Sequence, residues 1–199
     1  MRPPRAEDVI RLFTIGHSNR SFEDFLPLLK ECGVRAVVDI RRYPSSRRFP
    51  HFNRDALAER LMEEGIEYLW LETLGGRRHG RQDGESPNTG LTSPGFRNYA
   101  DYMMTAEFRT GVEKLLSTAS KLPAVILCAE KLYWKCHRRL LGDYLVAHGV
   151  AVEHILDPGR RSPHKLTGGA VVTACGDVTY PSGGKSDEPD EQGLFRDLD

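Results

Sequence analysis

The stretch PAVILCAEKLYWKCHRRLLGDYLVAHGVAVEHIL, residues 123–156, contains the repeating unit of the fold. PAVILCAE (123–130) is a short apolar run typical of a buried strand, and AVEHIL (151–156) is a second one. Between them, CHRRLLGDYLVAHG (136–149) has the amphipathic pattern of a helix and ends at a glycine. A strand, a helix and a strand in this order predict a βαβ unit with two parallel strands.

The same alternation continues towards the N-terminus. Further strands are predicted at RLFTIG (11–16), VRAVVDI (34–40) and IEYLWL (66–71). The predicted helices are SFEDFLPLLKECG (21–33), NRDALAERLMEEG (53–65) and FRNYADYMMTAEFRTGVEKLLSTAS (96–120), the last being one broken helix or two. We therefore expect a single α/β domain over residues 11–181, with a mostly parallel sheet of about five strands, flanking helices and a small C-terminal hairpin at 171–181.

The two ends of the chain differ from this body. Residues 1–10 have no apolar pattern and are predicted to be a flexible N-terminus, and residues 182–199 are predicted to be a disordered acidic tail. The formal net charge is zero, but residues 1–170 carry 26 Lys+Arg and 21 Asp+Glu, whereas residues 171–199 carry 2 and 7. The folded body is therefore basic.

Composition excludes several classes of protein. No apolar run approaches the roughly 20 residues that a membrane-spanning helix needs, and the N-terminus lacks the apolar segment of a secretory signal. Four cysteines in 199 residues do not form a disulfide framework. We expect a cytoplasmic protein with reduced thiols and no membrane partner.

Polar and titratable side chains follow the predicted strands at their carboxyl ends. They are His17, Ser18 and Asn19 after the first strand, Asp39, Arg41, Arg42 and Tyr43 after the second, and Cys128 and Glu130 after the fourth. Cys136, His137 and Arg138 stand at the start of the following helix. Ligands of open α/β sheets bind at this edge, so these residues are the candidate site.

Three basic clusters lie along the same predicted edge. RRYPSSRRFPHFNR (41–54) has five arginines and no acid, with aromatic residues between them. A second cluster comprises Arg77, Arg78, His79 and Arg81, and a third runs from 131 to 139 with Tyr133 and Trp134. Cations with aromatics suit phosphate contact and base stacking, so a nucleotide or nucleic acid is the predicted partner. The predicted binding residues are His17, Ser18, Asn19, Arg41, Arg42, Tyr43, Arg47, Arg48, Arg77, Arg78, Trp134 and Arg138.

Four residues are candidates for catalysis: Cys136, His137, Glu130 and Asp39. Cys136 falls near a helix start among cations, which favours a thiolate nucleophile, but an inert packing role is equally compatible with its position. Glu130 and Asp39 each follow an apolar strand beside cations, as an acid–base group would. A structural salt bridge to arginine is the alternative for both carboxylates.

No metal or cofactor is predicted. Cys128, Cys136 and His137 have the spacing C-x7-C-H, which matches no common zinc pattern. Cys128 ends an apolar strand and is predicted to be a small buried residue. GGRRHG (75–80) lacks the spacing of a P-loop or dinucleotide fingerprint, and no G-x-S-x-G is present. A metal-dependent enzyme remains as an alternative.

Several motifs together resemble the family known as domain of unknown function 488. They are TIGHSNRSFEDF (14–25), VVDIRRYPSSRRFPHFNRDAL (37–57), LGGRR (74–78), FRNYADYM (96–103), CAEKLYWKCHRRLLGDYL (128–145), PHKLT (163–167) and VTYP (178–181). The resemblance spans Leu12 to Pro181. It implies an α/β body in which the CAE and CHR residues lie together, and it implies no substrate.

We predict an enzyme that acts on a phosphate-bearing substrate, nucleic acid or nucleotide, by hydrolysis or group transfer. Cleavage of an N-glycosidic bond fits these residues, because it needs a carboxylate, a stacking surface and phosphate anchors. The alternative from another class is a non-catalytic nucleic-acid-binding protein in which the CAE and CHR residues brace a basic face.

Overall fold

The structure is a computed structural model and describes residues 9–80 and 85–183. The flexible N-terminus predicted for residues 1–10 lies largely outside the described residues, as do Arg81 and most of the tail predicted for 182–199. In the described ranges, no helix is long and apolar enough to cross a membrane.

Strands and helices alternate as the sequence predicts. The main strands are β1 (Arg11–Gly16), β2 (Ala36–Asp39), β3 (Glu67–Trp70), β4 (Ala124–Cys128), β5 (Ala151–Asp157) and β6 (Arg160–Pro163). The helices are α1 (Phe22–Glu31), α2 (Arg54–Glu63), α3 (Pro94–Met103), α4 (Ala106–Ala119) and α5 (Arg138–Ala147). The segment predicted as one broken helix or two is therefore the pair α3 and α4. A small hairpin of β7 (Val171–Val172) and β8 (Val178–Thr179) follows, as predicted.

The sheet has six strands in the order β3-β2-β4-β1-β5-β6. The first five strands are parallel, and β6 pairs antiparallel with β5. The α/β single domain with a mostly parallel sheet is thus confirmed, and β6 is an edge strand beyond the predicted five. It follows β5 directly, through a turn in which Gly159 has φ 65°.

The connections that leave the two central strands β1 and β4 run towards opposite edges of the sheet: β1 leads to β2, and β4 leads to β5. Helices α1 and α2, which lead to β2 and β3, pack on one face, where Phe25 and Leu57 share a hydrophobic cluster with Val37. Helix α5, which leads from β4 to β5, packs on the other face, where Leu141 shares a cluster with Val38. Because neighbouring strands send their helices to opposite faces, a crevice opens between their carboxyl ends.

The ends of β1 and β4 are held at close range. Gly16 lies opposite Cys128 in the parallel register, and the amide of His17 donates to the carbonyl oxygen of Cys128 at 3.0 Å. A Cβ atom on Gly16 would overlap the carbonyl oxygen of Glu130, so this position admits no side chain. The loops that follow the two strands are therefore fixed to each other.

Candidate active site

A cleft of about 1050 Å³ opens at the carboxyl ends of β1, β2 and β4. Its walls are the loops after these strands, the residues around Gly76, the start of α3 and the start of α5. This is the switch point of the sheet, where the chain connections diverge to opposite faces. The topology therefore places a concave site where the sequence predicts a ligand.

Most of the predicted site residues meet in this cleft. Those that line it are His17, Ser18, Asn19, Arg41, Arg42, Tyr43, Arg48, Arg77, Glu130, Cys136 and His137. Those outside its lining are Asp39, Arg47, Arg78, Trp134 and Arg138.

Two thiols and an imidazole converge in the cleft. Cys128 is the last residue of β4, Cys136 follows the 3-10 helix Tyr133–Lys135, and His137 is the N-cap of α5. The Nδ1 atom of His137 lies 3.6 Å from Sγ of Cys136 and 4.0 Å from Sγ of Cys128. Both cysteines are buried, which was predicted for Cys128. The end of β4 and the start of α5 thus bring these three side chains together. Cys128 is eight residues from Cys136 in sequence, and His137 follows Cys136 directly.

The two thiols have opposite acidities. Burial by itself raises the pKa of Cys136, but the hydrogen bond with Cys128 and the electrostatic influence of His137 and Arg138 outweigh it, and the pKa lies well below its usual value. The hydrogen bond with Cys136, together with burial, raises the pKa of Cys128 well above its usual value. The pair therefore favours a thiolate at Cys136, next to a neutral thiol at Cys128.

The imidazole of His137 is held by packing. Its ring makes an edge contact with Tyr99 at a centroid distance of 4.9 Å. A Cβ atom on Gly76 would stand 2.8 Å from Nδ1, so the backbone passes directly over the ring. Nε2 is buried and has no hydrogen-bond partner among the described residues. The ring is therefore oriented by contacts that leave Nδ1 facing the sulfur atoms.

His17 belongs to a chain of buried hydrogen bonds beside the thiols. Its Nδ1 atom lies 2.9 Å from the carbonyl oxygen of Ser18 and donates to it, so Nε2 accepts from Nη1 of Arg41 at 3.3 Å. Burial, followed by the positive charge of Arg41, lowers the pKa of His17 to about 4. The imidazole is neutral at pH 7 and both its nitrogens are engaged, so His17 positions its neighbours.

Asp39 lies beneath Arg41 and holds it in place. The carboxylate is fully buried, accepts from Nε of Arg41 at 2.9 and 3.0 Å and from Nη2 at 2.5 Å, and also accepts from the Tyr68 hydroxyl at 2.7 Å. This geometry favours the structural alternative for Asp39, and the catalytic role stays a prediction.

Glu130 presents its carboxylate to the cleft. The side chain is exposed, and Oε1 accepts a hydrogen bond from the Leu132 amide at 3.4 Å. The guanidinium of Arg138 bonds to the backbone carbonyl oxygen of Glu130, which leaves the carboxylate outside that contact. Of the two predicted carboxylates, Glu130 is the one that a ligand in the cleft can reach.

Arg138 and Trp134 lie under the cleft. The guanidinium of Arg138 is buried and donates to the carbonyl oxygens of Glu130 and Lys131 and to the Thr14 hydroxyl. Trp134 is buried in a small cluster that includes Leu156. The phosphate-binding role predicted for Arg138 and the stacking role predicted for Trp134 therefore have no support from their positions, because neither side chain reaches the ligand space.

Arg78 and Arg47 also lie outside the lining. Arg78 donates to the carbonyl oxygens of Glu72, Thr73 and Gly75 and stacks on Tyr102 at 3.7 Å, so it closes a short 3-10 helix. Arg47 is exposed on the loop beside the cleft.

A second buried polar network lies beneath Arg138. The Thr14 hydroxyl bonds to Nδ1 of His154 at 2.6 Å, and Nε2 of His154 bonds to Nδ1 of His164 at 2.9 Å. Nε2 of His164 in turn bonds to Asp143 at 2.8 Å. Burial, followed by the charges of His164 and Arg138, lowers the pKa of His154 well below its usual value. The network joins β1, β5 and α5 directly under the site.

The sequence missed three residues that shape the cleft. Tyr68 holds Asp39, Gly76 lies against His137, and Tyr99 packs on the same imidazole. The signal for Gly76 was present in the Gly75-Gly76 pair, because a residue without Cβ permits a close backbone approach. Tyr68 and Tyr99 carried no such signal, because an aromatic residue within a strand or a helix is usually part of the hydrophobic core.

Backbone strain also concentrates at the cleft. Among residues 9–80 and 85–183, two residues other than glycine have a left-handed backbone, Ser18 with φ 52° and Arg77 with φ 58°. Both line the cleft. Such conformations cost about 1–3 kcal/mol each and cluster at functional sites.

The fold and the site together define a doubly wound α/β protein with a thiol–imidazole centre at the switch point of its sheet. The chain belongs to the family described as Domain of unknown function DUF488, whose model matches residues 21–145. The matched range contains Asp39, Glu130, Cys136 and His137, whereas His17 precedes it. No curated protein and no solved structure matches the chain.

Proposed function

We propose that this protein is an enzyme that acts on a phosphate-bearing substrate, a nucleotide or nucleic acid, by hydrolysis or group transfer in the cleft. One observation carries the proposal. Among the described residues, the cleft is lined by five cations, Arg41, Arg42, Arg48, Arg77 and Lys135, and by one carboxylate, Glu130, around the thiol–imidazole centre.

The cations of the rim are suited to bind phosphate. Arg42 is paired with Glu72 at 2.9 Å and Arg41 with the buried Asp39, so part of the positive charge is already compensated. Arg48 and Arg77 are exposed, and both line the cleft. Arginine donates to phosphate oxygens in a bidentate geometry, so these two side chains are the proposed phosphate anchors.

The aromatic residues of the cleft supply a stacking surface. Tyr43 is 63% exposed, which is unusual for a large side chain that lines a site. Phe49 and Phe96 line the same cleft. An exposed ring beside phosphate-binding arginines suits a nucleobase, because base stacking tolerates any sequence. Tyr43 thus takes the role that the sequence also offered to Trp134.

Glu130 is the proposed proton-transfer group. Its carboxylate is exposed in the cleft and lies two residues beyond Cys128. Hydrolysis of an N-glycosidic bond is one reaction that these groups support, since a carboxylate can take the proton of the attacking water.

Binding is tested with a fluorescein-labelled single-stranded oligonucleotide and, separately, with ADP. Arg77→Gly removes one of these cations at a position where the left-handed backbone suits glycine, and Arg48→Ala removes the other. Each change should weaken oligonucleotide binding and reduce the slope of log affinity against log salt by about one. Arg35→Ala is the matched control, because Arg35 is exposed beside the amino end of β2, at the opposite edge of the sheet. An equal loss in the control would refute a specific phosphate site.

Turnover is tested with ligands that co-purify with the protein, identified by mass spectrometry and then supplied as substrates. Glu130→Gln should lower turnover by about a hundredfold or more and leave binding unchanged. If the protein binds the oligonucleotide and converts none of these compounds, the non-catalytic nucleic-acid-binding alternative holds.

A further inference from the structure

We propose that Cys128, Cys136 and His137 bind a thiophilic divalent metal ion, zinc in the first instance, with a fourth coordination position open to the cleft. The chemical role of the ion rests on the proposed function, but its binding does not require a substrate. The notable feature is the convergence of the three donor atoms, which the spacing C-x7-C-H did not suggest.

The distances fit tetrahedral coordination. Zinc binds sulfur at about 2.3 Å and imidazole nitrogen at about 2.0 Å, so a tetrahedron requires a nitrogen-to-sulfur separation of about 3.6 Å and a sulfur-to-sulfur separation of about 3.8 Å. The Nδ1 atom of His137 is 3.6 Å from one sulfur and 4.0 Å from the other, and all three donor atoms lie within 4.8 Å of one another. The two nitrogen-to-sulfur separations therefore lie within about 0.4 Å of the tetrahedral value, and the two sulfur atoms would move towards each other as the ion binds.

The polar surroundings support thiolate ligands. The Arg138 amide at the start of α5 lies 3.5 Å from Sγ of Cys136, and an amide donating to sulfur is a common second interaction around metal-bound cysteine. The helix N-terminus adds positive potential next to the same sulfur. Two thiolates would neutralise a divalent ion, so the buried centre would carry no net charge.

The environment of His137 points to a ligand role more than to a hydrogen-bonding one. Its Nε2 atom is buried without a partner in the described residues, and Nδ1 faces two sulfur atoms at distances long for hydrogen bonds to nitrogen. Buried imidazoles usually bond through at least one strong acceptor or donor. A metal ion at the point where the three donor atoms converge would give Nδ1 the strong partner that the protein does not provide.

Two cysteines and one histidine fill three positions and leave the fourth to an exchangeable ligand. Zinc sites of this kind lower the pKa of bound water to about 7. In the proposed hydrolysis, that water gives its proton to Glu130, the hydroxide forms the new bond to the substrate, and the leaving group departs with the proton. In this assignment Cys136 is a ligand of the ion and the bound water is the nucleophile, which replaces the nucleophilic role predicted for Cys136.

The test is titration of the reduced, chelator-treated full chain with Co²⁺, followed by displacement with Zn²⁺. We expect one equivalent of Co²⁺ per chain, a thiolate-to-cobalt charge-transfer band and the visible bands of tetrahedral cobalt. Cys136→Ser and His137→Ala should each weaken binding by about a hundredfold or more, since even outer-shell changes cost 10–100-fold. Cys175→Ser is the control, because Cys175 is exposed on the hairpin, away from the three donors.

The absence of a charge-transfer band in the reduced wild-type chain would overturn the proposal. So would a Cys136→Ser chain that binds Co²⁺ as tightly as the wild type with a charge-transfer band of undiminished intensity, or a Cys175→Ser chain that has lost the band. If a ligand variant fails to fold, X-ray absorption of the zinc-loaded wild-type chain decides the point: two sulfur ligands and two lighter ligands support the proposal, and any other ligand set refutes it.

The oligonucleotide assay distinguishes this proposal from the proposed function. A chain that binds the oligonucleotide but not cobalt refutes only the metal site. A chain that binds cobalt but neither the oligonucleotide nor ADP refutes the phosphate-bearing substrate and leaves the metal site standing.

Discussion

Asp39 and Glu130 provide a matched pair of carboxylates, one buried and one exposed, whose neutralisation should have opposite effects. In Asp39→Asn the side chain keeps its shape but offers one acceptor oxygen in place of two. The carboxylate now accepts from Nε and Nη2 of Arg41, from the Tyr68 hydroxyl at 2.7 Å and from the Arg41 amide at 3.0 Å. The amide nitrogen of asparagine would face one of these donors, and the buried guanidinium would lose its counter-charge.

The expected cost follows from that loss. Removing one partner of a buried ion pair costs about 3–5 kcal/mol, because the remaining charge is uncompensated. For a domain of 150–250 residues, each kcal/mol lowers Tm by about 2–4 °C, so Asp39→Asn should lower Tm by about 6–20 °C. Thermal unfolding followed by circular dichroism measures this shift, and urea unfolding gives the free energy directly.

Glu130→Gln should change stability by no more than about 0.5 kcal/mol, the range of ordinary surface substitutions. Its carboxylate is exposed, and Arg138 bonds to its backbone carbonyl oxygen, which the substitution leaves in place. A loss of several kcal/mol in Glu130→Gln would show that this carboxylate braces the fold and would count against its proton-transfer role. An Asp39→Asn variant as stable as the wild type would refute the account of the Arg41 network.

Three further outcomes are expected. Gly76→Ala should weaken Co²⁺ binding by about tenfold, because the new Cβ would stand 2.8 Å from Nδ1 of His137, whereas Gly95→Ala, with its nearest atom at 3.9 Å, should have no effect. The free energy of unfolding should fall by up to about 2.7 kcal/mol per pH unit below pH ~6.5, since the lowered pKa values of His17 and His154 mean that the unfolded chain binds two more protons there; a flat profile between pH 6.5 and 5.5 in urea unfolding would contradict this. Deleting residues 182–199 removes two cations and six acids, so retention on heparin should rise and remain salt-sensitive, and unchanged retention at low salt would exclude any competition by the tail.

Much of the fold could be predicted because its strands are apolar runs in a strict alternation with helices. Within VRAVVDI and PAVILCAE, the strand residues Ala36–Asp39 and Ala124–Cys128 are buried on both faces in the centre of the sheet, and such strands have a clear signal in sequence. The edge strand β6 was missed because Arg160–Pro163 is polar and only partly covered. Its position depends on a turn after β5 and on antiparallel pairing, neither of which the apolar pattern contains.

The sequence predicted that the candidate site lies at the carboxyl edge of the sheet, but it predicted only some of the residues that line the cleft. Cys128 and Glu130 could be predicted from the end of a strand, and Cys136 and His137 from the start of the helix that follows it. Both positions lie at the carboxyl edge of the sheet, because parallel strands end there together. The sequence could not separate Arg48, which lines the cleft, from Arg138, which lies under it. Arg138 lies under the cleft because the carbonyl oxygens of Glu130 and Lys131 accept its hydrogen bonds there. This arrangement depends on tertiary packing, which the sequence pattern does not contain.

The position of β1 has a consequence for how the protein is made. This strand leaves the ribosome before every other strand of the sheet, yet its partners are β4 and β5, and Leu12 pairs with Ala124 and Val152. Its place between these two strands is therefore not formed until β5, Ala151–Asp157, has been synthesised. Pairings between residues so far apart in sequence slow folding, and the waiting strand is apolar and exposed to aggregation in the meantime. Nascent chains of this protein should therefore depend on chaperones until β5 emerges and β1 can pair on both sides.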